Sequence, residues 1–166
     1  MKYAIRTIAL LAALILLVVT PNAFAQAKLG EEAPDFEVTT LEGTKLRLSE
    51  LRGKVVYLNI WATWCPPCVA EIPSIQKLAE AHPEELVVIG VSCDTDPETV
   101  RQFVEAYGID YPVAMDERMV IGGQLYPTAY IPESVFISPE GTVTTIEIGG
   151  ITYARMEYCF SKALGQ

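Results

Sequence analysis

Histidine is nearly absent from this chain, which has one among 166 residues, and basic residues are outnumbered, with 12 Lys and Arg against 21 Asp and Glu. The formal net charge is −9 and the sequence pI is about 4.6. This acidity argues against binding nucleic acid, because phosphates would repel the chain. There is no internal repeat and no low-complexity tract. The length suggests one domain with a core of its own.

The first 25 residues have the pattern of an export signal. Lys2 and Arg6 precede an apolar run over residues 8–19, and the segment ends in small residues around Ala25. This pattern predicts a signal peptide over 1–25, cleaved after Ala25, and a mature domain over 26–166. The alternative is an uncleaved membrane anchor, although Pro21 interrupts the run before the ~20 apolar residues of a spanning helix. Either way we expect the folded part to be extracytoplasmic, for example periplasmic, where disulfides persist.

Strands and helices alternate along the rest of the chain. Continuous apolar runs at 55–60 and 86–91 predict strands buried on both faces. Helical spacing or capping predicts helices over the following ranges: 66–81, 97–107, a weaker one at 118–125 with two glycines, and 152–164. Alternating patterns predict a hairpin over 36–48 and strands at 112–115, 134–137 and 142–148. This order predicts an α/β three-layer sandwich.

Two cysteines stand where the strand at 55–60 turns into the helix at 66–81. Cys65 is expected at or just before the helix N-terminus, where the dipole favours negative charge and stabilises the reactive thiolate. Cys68 follows on the same helical face, close enough for a small disulfide. Pro66 and Pro67 between them stiffen the turn. We therefore predict a redox-active pair, with Cys65 exposed and Cys68 largely buried.

A zinc site and a purely structural disulfide are weaker alternatives for the cysteine pair. A zinc site would need two further ligands, whereas His82, Cys93 and Cys159 are isolated in the sequence. A purely structural disulfide rarely needs a position between a strand and a helix. A second disulfide joining Cys93 and Cys159 stays open, because the sequence does not fix the separation of their Cα atoms.

Three stretches carry a resemblance to a known family: residues 48–56, the Trp64–Cys68 stretch, and 132–137 (Pro-Glu-Ser-Val-Phe-Ile). They resemble the TlpA/ResA-like branch of the thioredoxin superfamily, over residues 33–150. The resemblance implies a thioredoxin-like three-layer α/β/α sandwich with an added N-terminal β-hairpin. It implies an extracytoplasmic thiol–disulfide oxidoreductase that reduces protein disulfides. The branch includes cytochrome c maturation reductases, so apocytochrome c is a candidate substrate and a membrane thiol–disulfide protein a candidate electron donor.

The resemblance also assigns residues that support the disulfide. It implies a cis-proline facing the two sulfurs, for which Pro132 is favoured over Pro127 because it begins a core strand. Its neighbour Ile131 would offer backbone hydrogen bonds to an extended substrate.

The two tryptophans are expected in different places. The resemblance implies that Trp64, with Pro66 and Pro67 beside it, forms the contact surface for partners. Trp61, at the end of the apolar run, is expected to pack in the core.

Glu71, three residues after Cys68, matches a position where ResA-like members use a Glu to move protons. Asn59 stands where thioredoxins have a buried Asp, and Asn cannot accept a proton, so Glu71 is the best candidate base for Cys68. An exposed helix-surface carboxylate is the simpler alternative. No flavin, nicotinamide or metal motif occurs, so we expect no cofactor beyond the two thiols.

Three rival functions share parts of this pattern. A disulfide oxidase or isomerase differs only in the redox potential of the pair. A peroxiredoxin fits the opening over residues 33–36, but Ala62 and Leu58 stand where that family has Thr or Ser and Pro. A copper-binding chaperone on the same fold would use soft thiolates, yet it wants a wider cysteine spacing and a distant His.

Overall fold

A five-stranded sheet and a separate two-stranded hairpin organise the protein, in a computed structural model that describes residues 26–166. The strands are β1 (Glu37–Thr39), β2 (Lys45–Arg47), β3 (Val55–Trp61), β4 (Leu86–Ser92), β5 (Val113–Met115), β6 (Glu133–Ile137) and β7 (Val143–Ile148). The helices are α1 (Pro66–Ala81), α2 (Pro97–Tyr107) and α3 (Tyr153–Leu164). A 3₁₀ turn covers Leu48–Leu51 and a π-helical turn covers Ile121–Leu125.

The strand order in the large sheet is β5-β4-β3-β6-β7. β4 lies parallel to β3 and to β5, whereas β6 is antiparallel to β3 and to β7. β3 is therefore central, and all seven of its residues are buried, as its continuous apolar sequence predicts. β1 and β2 form the predicted N-terminal hairpin. The chain has the predicted thioredoxin-like α/β fold.

The two faces of the sheet are covered differently. Alternate β3 residues point to opposite sides, so Tyr57 belongs to one core cluster and Leu58 to the other. All three helices pack in the cluster that contains Tyr57, through residues such as Ile75, Val100 and Phe160. The opposite cluster is covered by the N-terminal hairpin, the 3₁₀ turn and the π-helical turn. The second outer layer of the sandwich is therefore thin.

The helix expected over residues 118–125 is wrong in extent. Only Ile121–Leu125 coils, as a π-helical turn. Met119 has a left-handed backbone, with φ of 50°, which stops a helix from starting earlier. The Asp116 carboxylate instead accepts hydrogen bonds from the backbone N–H groups of Val120, Ile121 and Gly122, at 2.7 to 3.1 Å. A side chain outside the segment therefore sets where the turn begins.

The predicted signal peptide or anchor over residues 1–25 lies outside the described residues. Within 26–166, no helix combines the length and the apolar character needed to cross a membrane.

Candidate active site

Cys65 and Cys68 form a disulfide at the point where β3 ends and α1 begins. Their Cα atoms are 5.3 Å apart. Trp61, the last residue of β3, is 1% exposed and anchors the strand in the core, as expected for it. A turn closed by the hydrogen bond from Cys65 N–H to the Ala62 carbonyl then leads into the helix, for which Cys65 is the N-cap. The strand-to-helix placement of the pair is thus as the sequence predicts.

The N-terminus of α1 has an unusual set of backbone donors. Its first two residues, Pro66 and Pro67, have no N–H, and no side chain caps this end of the helix. The dipole of a 16-residue helix therefore ends at Cys65 without a carboxylate to neutralise it. A negative charge on the Cys65 sulfur is favoured there, which is the condition for a reactive thiolate.

The expected exposure of Cys65 is wrong for this disulfide form. Cys65 is 4% exposed and Cys68 is 1% exposed, so both are buried. The Cys65 Sγ is bonded to Cys68 and lies 3.7 Å from the carbonyl oxygen of Ile131, which covers it from the β6 side. The exposed part of the motif consists of its neighbours, with Trp64 at 67% exposed and both prolines also exposed.

The backbone opposite the disulfide comes from the start of β6. The Ile131–Pro132 peptide bond is cis, whereas Pro127 is preceded by a trans bond. β6 runs antiparallel to β3, with Glu133 paired to Ile60, so the first residues of β6 lie beside the last residues of β3. The sheet therefore brings two segments together that are 66 residues apart in the chain.

Glu71 is buried on α1, one turn after Cys68. It is 4% exposed, and its two carboxylate oxygens accept hydrogen bonds from Asn59 Nδ2 at 2.9 Å and from the Ile151 N–H at 3.2 Å. Burial raises the pKa of Glu71 to about 7, and these two hydrogen bonds oppose that shift without cancelling it. A carboxyl group in this state can gain and lose a proton near neutral pH. The structure therefore does not place Glu71 on the helix surface.

Two further buried acids lie beside the site, and the sequence patterns did not single them out. Asp94, just after β4, accepts hydrogen bonds from the N–H and the hydroxyl of Thr63, at 2.9 and 2.7 Å. Glu133 directly follows Pro132, and burial raises its pKa. The sequence signal for Asp94 is a carboxylate at the carboxyl end of a strand parallel to β3, because such ends share one edge of the sheet. For Glu133, the signal is an acid that starts an otherwise apolar strand.

The remaining titratable side chains singled out in the sequence do not join the disulfide. Cys93 and Cys159 are free thiols, so no second disulfide joins them. The pKa of Cys93 is raised to about 11, chiefly by burial and then by the charges of Asp116 and Asp94. His82 ends α1 and contacts Glu157 at 3.2 Å. Among residues 26–166, no three side chains of His, Cys, Asp or Glu cluster in a way that could hold a metal.

Several known proteins to which this chain is similar are named as thiol–disulfide oxidoreductases or interchange proteins. Residues 29–146 match the model of the AhpC/TSA family. A thiol–disulfide oxidoreductase ResA from Bacillus thuringiensis is 40% identical over 131 residues, which span 78% of this chain and 75% of the relative. A thiol:disulfide interchange protein of the thioredoxin family from Chlorobium tepidum superposes with a TM-score of 0.73 at 28% identity, over 85% of this chain and 100% of that one. A secreted disulfide oxidoreductase from Mycobacterium tuberculosis superposes with a TM-score of 0.67 at 28% identity, over 76% and 94%.

These similarities agree with the geometry of the site. The fold, the disulfide at the start of α1 and the identity to a named oxidoreductase point to the same redox chemistry. They confirm the resemblance drawn from the sequence motifs. The chain belongs to the AhpC/TSA family and, within it, to the ResA-like thiol–disulfide oxidoreductases.

Proposed function

We propose that this protein is an extracytoplasmic reductase of protein disulfides, in which Cys65 is the nucleophile and Cys68 the resolving thiol. The observation that carries the proposal is the Cys65–Cys68 disulfide at an uncapped helix N-terminus, opposite the Ile131 carbonyl. The helix dipole favours the thiolate of Cys65, which is the N-cap, and Cys68 lies in the first turn behind it.

The reductive cycle balances as a two-electron exchange. The Cys65 thiolate attacks one sulfur of a substrate disulfide, a mixed disulfide forms, and the other substrate sulfur leaves as a thiolate that takes up a proton. Cys68 then loses its proton and attacks the Cys65 sulfur. The Cys65–Cys68 bond re-forms, and the second substrate thiol is released. The substrate gains two electrons and the protein loses two, so a second dithiol protein must reduce the pair again.

Glu71 is the proposed base for Cys68. It shares the buried face of α1 with Cys68, and its pKa of about 7 lets it accept a proton and return it near neutral pH. Asn59, its hydrogen-bond partner, has no acidic proton to exchange and serves to orient the carboxyl group.

The proposed substrate contacts surround the disulfide. Trp64, Pro66 and Pro67 present exposed apolar surface on one side. On the other side, Ile131 is half-buried and its carbonyl faces the Cys65 sulfur, and we expect its backbone groups to pair with an extended substrate segment. Such pairing recognises a strand-like peptide around the substrate cysteine without selecting one sequence, which fits a range of protein disulfides.

An extracytoplasmic location is supported by the signal-like segment over residues 1–25 and by the secreted relative from Mycobacterium tuberculosis. In that setting the candidate substrates include apocytochrome c, and the electron donor would be a membrane thiol–disulfide protein. A nucleic-acid partner is not expected of a chain with net charge −9.

Reduction of insulin by the mature protein tests the proposal. Cys65→Ser should abolish the activity, and Cys68→Ser should accumulate mixed disulfides that can be identified by mass spectrometry. Cys93→Ser is the matched control, because it removes a thiol of the same protein that lies outside the pair. Full activity of Cys65→Ser would contradict the scheme.

Three measurements separate the rival functions. A redox titration of the Cys65–Cys68 pair distinguishes a reductase from an oxidase or isomerase, because a stabilised thiolate raises the potential. Consumption of hydrogen peroxide tests the peroxiredoxin alternative. Metal analysis of the reduced protein purified with copper tests the chaperone alternative.

A further inference from the structure

The turn that carries Cys65 is tied to the rest of the molecule by one carboxylate. Asp94 Oδ1 accepts the hydroxyl hydrogen of Thr63 at 2.7 Å, and Oδ2 accepts the Thr63 N–H at 2.9 Å. Oδ2 also accepts the hydroxyl hydrogen of Ser92 at 2.7 Å, and the Asp94 N–H donates back to that hydroxyl at 3.0 Å. Thr63 is two residues before Cys65, so these bonds fix the backbone just ahead of the reactive sulfur.

The Asp94 side chain is held in one place by burial and by its hydrogen bonds. It is 6% exposed, and within the described residues no cation forms a salt bridge with it, so its oxygens are satisfied by hydrogen bonds. The adjacent N–H of Cys93 donates to the Trp61 carbonyl at 2.8 Å, which continues the pairing of β4 with β3 by one residue past the end of β4. The anchor is therefore itself held by the sheet, and a buried, fully bonded polar group of this kind fixes one local geometry.

We propose that Asp94 is a positioning residue of the redox site, whose carboxylate fixes the turn that presents Cys65 to its substrate. The inference rests on the proposed role of Cys65 as nucleophile. Asp94 does not touch the reacting sulfur; it acts through Thr63. Without it, the turn from Ala62 to Cys65 keeps its internal hydrogen bond, the hydrogen bond from the Val69 N–H to the Cys65 carbonyl and the contact of the sulfur with Ile131, but Thr63 loses its attachment to the segment after β4. Cys65 would then move relative to both the helix N-terminus and the β6 backbone.

Two substitutions separate geometry from charge. Asp94→Asn can keep all three bonds that the carboxylate accepts, because its oxygen can accept from the Thr63 N–H and from Ser92, while its amide donates to the Thr63 hydroxyl. Asp94→Ala keeps none of them. A positioning role predicts that the Asn variant resembles the wild type and that the Ala variant does not.

The chain offers a matched control in Asp96. Its carboxylate accepts from the N–H groups of Glu98 and Thr99 and from the Thr99 hydroxyl, at 3.1, 3.2 and 2.6 Å, so it makes the same kinds of bonds at the exposed N-terminus of α2. Asp96→Ala therefore removes a comparable set of hydrogen bonds outside the redox site. It should lower the melting temperature without changing the chemistry of Cys65.

The test measures the rate at which iodoacetamide alkylates Cys65 in the reduced full-length protein, between pH 5 and 9, with the site read out by peptide mass spectrometry. Asp94→Ala should lower the rate at neutral pH about tenfold or more, and shift its pH profile upward, because a displaced sulfur loses the helix dipole. Asp94→Asn and Asp96→Ala should stay within about twofold of the wild type. The rate of insulin reduction should likewise fall in Asp94→Ala and stay near that of the wild type in Asp94→Asn and Asp96→Ala.

Equal alkylation of wild type and Asp94→Ala overturns the inference, and an equal loss in the Asn and Ala variants overturns it in favour of a charge effect. If Asp94→Ala does not fold, Thr63→Val removes one of the three bonds and should lower the alkylation rate severalfold; an unchanged rate then overturns the inference. Alkylation does not require catalysis, so the inference can fail while the proposed function holds. That case is a wild type that reduces insulin, together with an Asp94→Ala variant whose alkylation rate is unchanged.

Discussion

The buried carboxyl group of Glu71 should make the free energy of unfolding depend on pH. Its pKa is about 7 in the folded protein and near 4.5 when it is solvated in the unfolded chain. Between these values the folded state binds more protons than the unfolded state, so the free energy of unfolding falls as pH rises. The loss begins near pH 4.5 and levels off above about pH 7. A shift of this size corresponds to about 3 kcal/mol.

Glu71→Gln should remove this dependence. Gln can accept from the Ile151 N–H and donate to a flipped Asn59 amide, so the hydrogen bonds persist without a titrating group. We expect the variant to be more stable than the wild type at pH 8 by up to about 3 kcal/mol, and the difference to shrink towards pH 5. Glu80→Gln, exposed on the same helix, is the matched control and should leave the curve unchanged.

Urea unfolding of the oxidised protein at half-unit steps of pH measures the effect, because Cys65 and Cys68 do not titrate while they are bonded. Glu133 also has a raised pKa, but it is present in every variant and cancels in the difference. Parallel curves for wild type and Glu71→Gln between pH 5 and 8 would refute the reasoning, since they would show that Glu71 has the same pKa folded and unfolded.

Three further outcomes are expected. Trp64→Ala should change the free energy of unfolding by less than about 0.5 kcal/mol, yet raise the KM for a protein disulfide with little change in kcat. Trp61→Ala should lower the free energy of unfolding by about 3–5 kcal/mol. Equal effects of the two substitutions on urea unfolding would contradict the assignment of Trp64 to the surface and Trp61 to the core. Asp116→Ala should destabilise the protein by on the order of 3 kcal/mol, because three backbone N–H groups lose their acceptor, and amide hydrogen exchange should quicken first in the π-helical turn. Cys159, fully buried, should resist alkylation in the native protein, and mass spectrometry that finds it labelled at the rate of a free thiol would disprove its burial.

Much of the fold follows from local sequence patterns. The apolar run at 55–60 predicts a strand buried on both faces, and β3 is fully buried. The two tryptophans are also separated correctly, because Trp61 directly follows that run and Trp64 belongs to the turn after it. These features depend on periodicity and turn chemistry, which act over a few residues.

Other features depend on contacts between distant residues. Cys65 is buried because Ile131, far along the chain, lies against its sulfur, and no local pattern encodes that contact. The segment after β5 has the pattern of a longer helix, yet Asp116 and a left-handed Met119 decide where it coils. The anchoring of Thr63 by Asp94 likewise depends on β3 and β4 lying side by side, which a single strand pattern does not specify.

The pairing of β3 with β6 has a consequence for how such proteins can diversify. The Ile60–Glu133 register sets the spacing between the sulfur and the carbonyl facing it, independently of the path that the chain takes between β5 and β6. Exposed residues between the π-helical turn and Ile131, such as Pro127, Ala129 and Tyr130, can therefore be exchanged while the sulfur and the carbonyl keep their distance. Changes in that stretch would let homologues bind different substrates. A one-residue shift in the register of β3 and β6 would instead turn every β6 side chain to the opposite face of the sheet and abolish electron transfer.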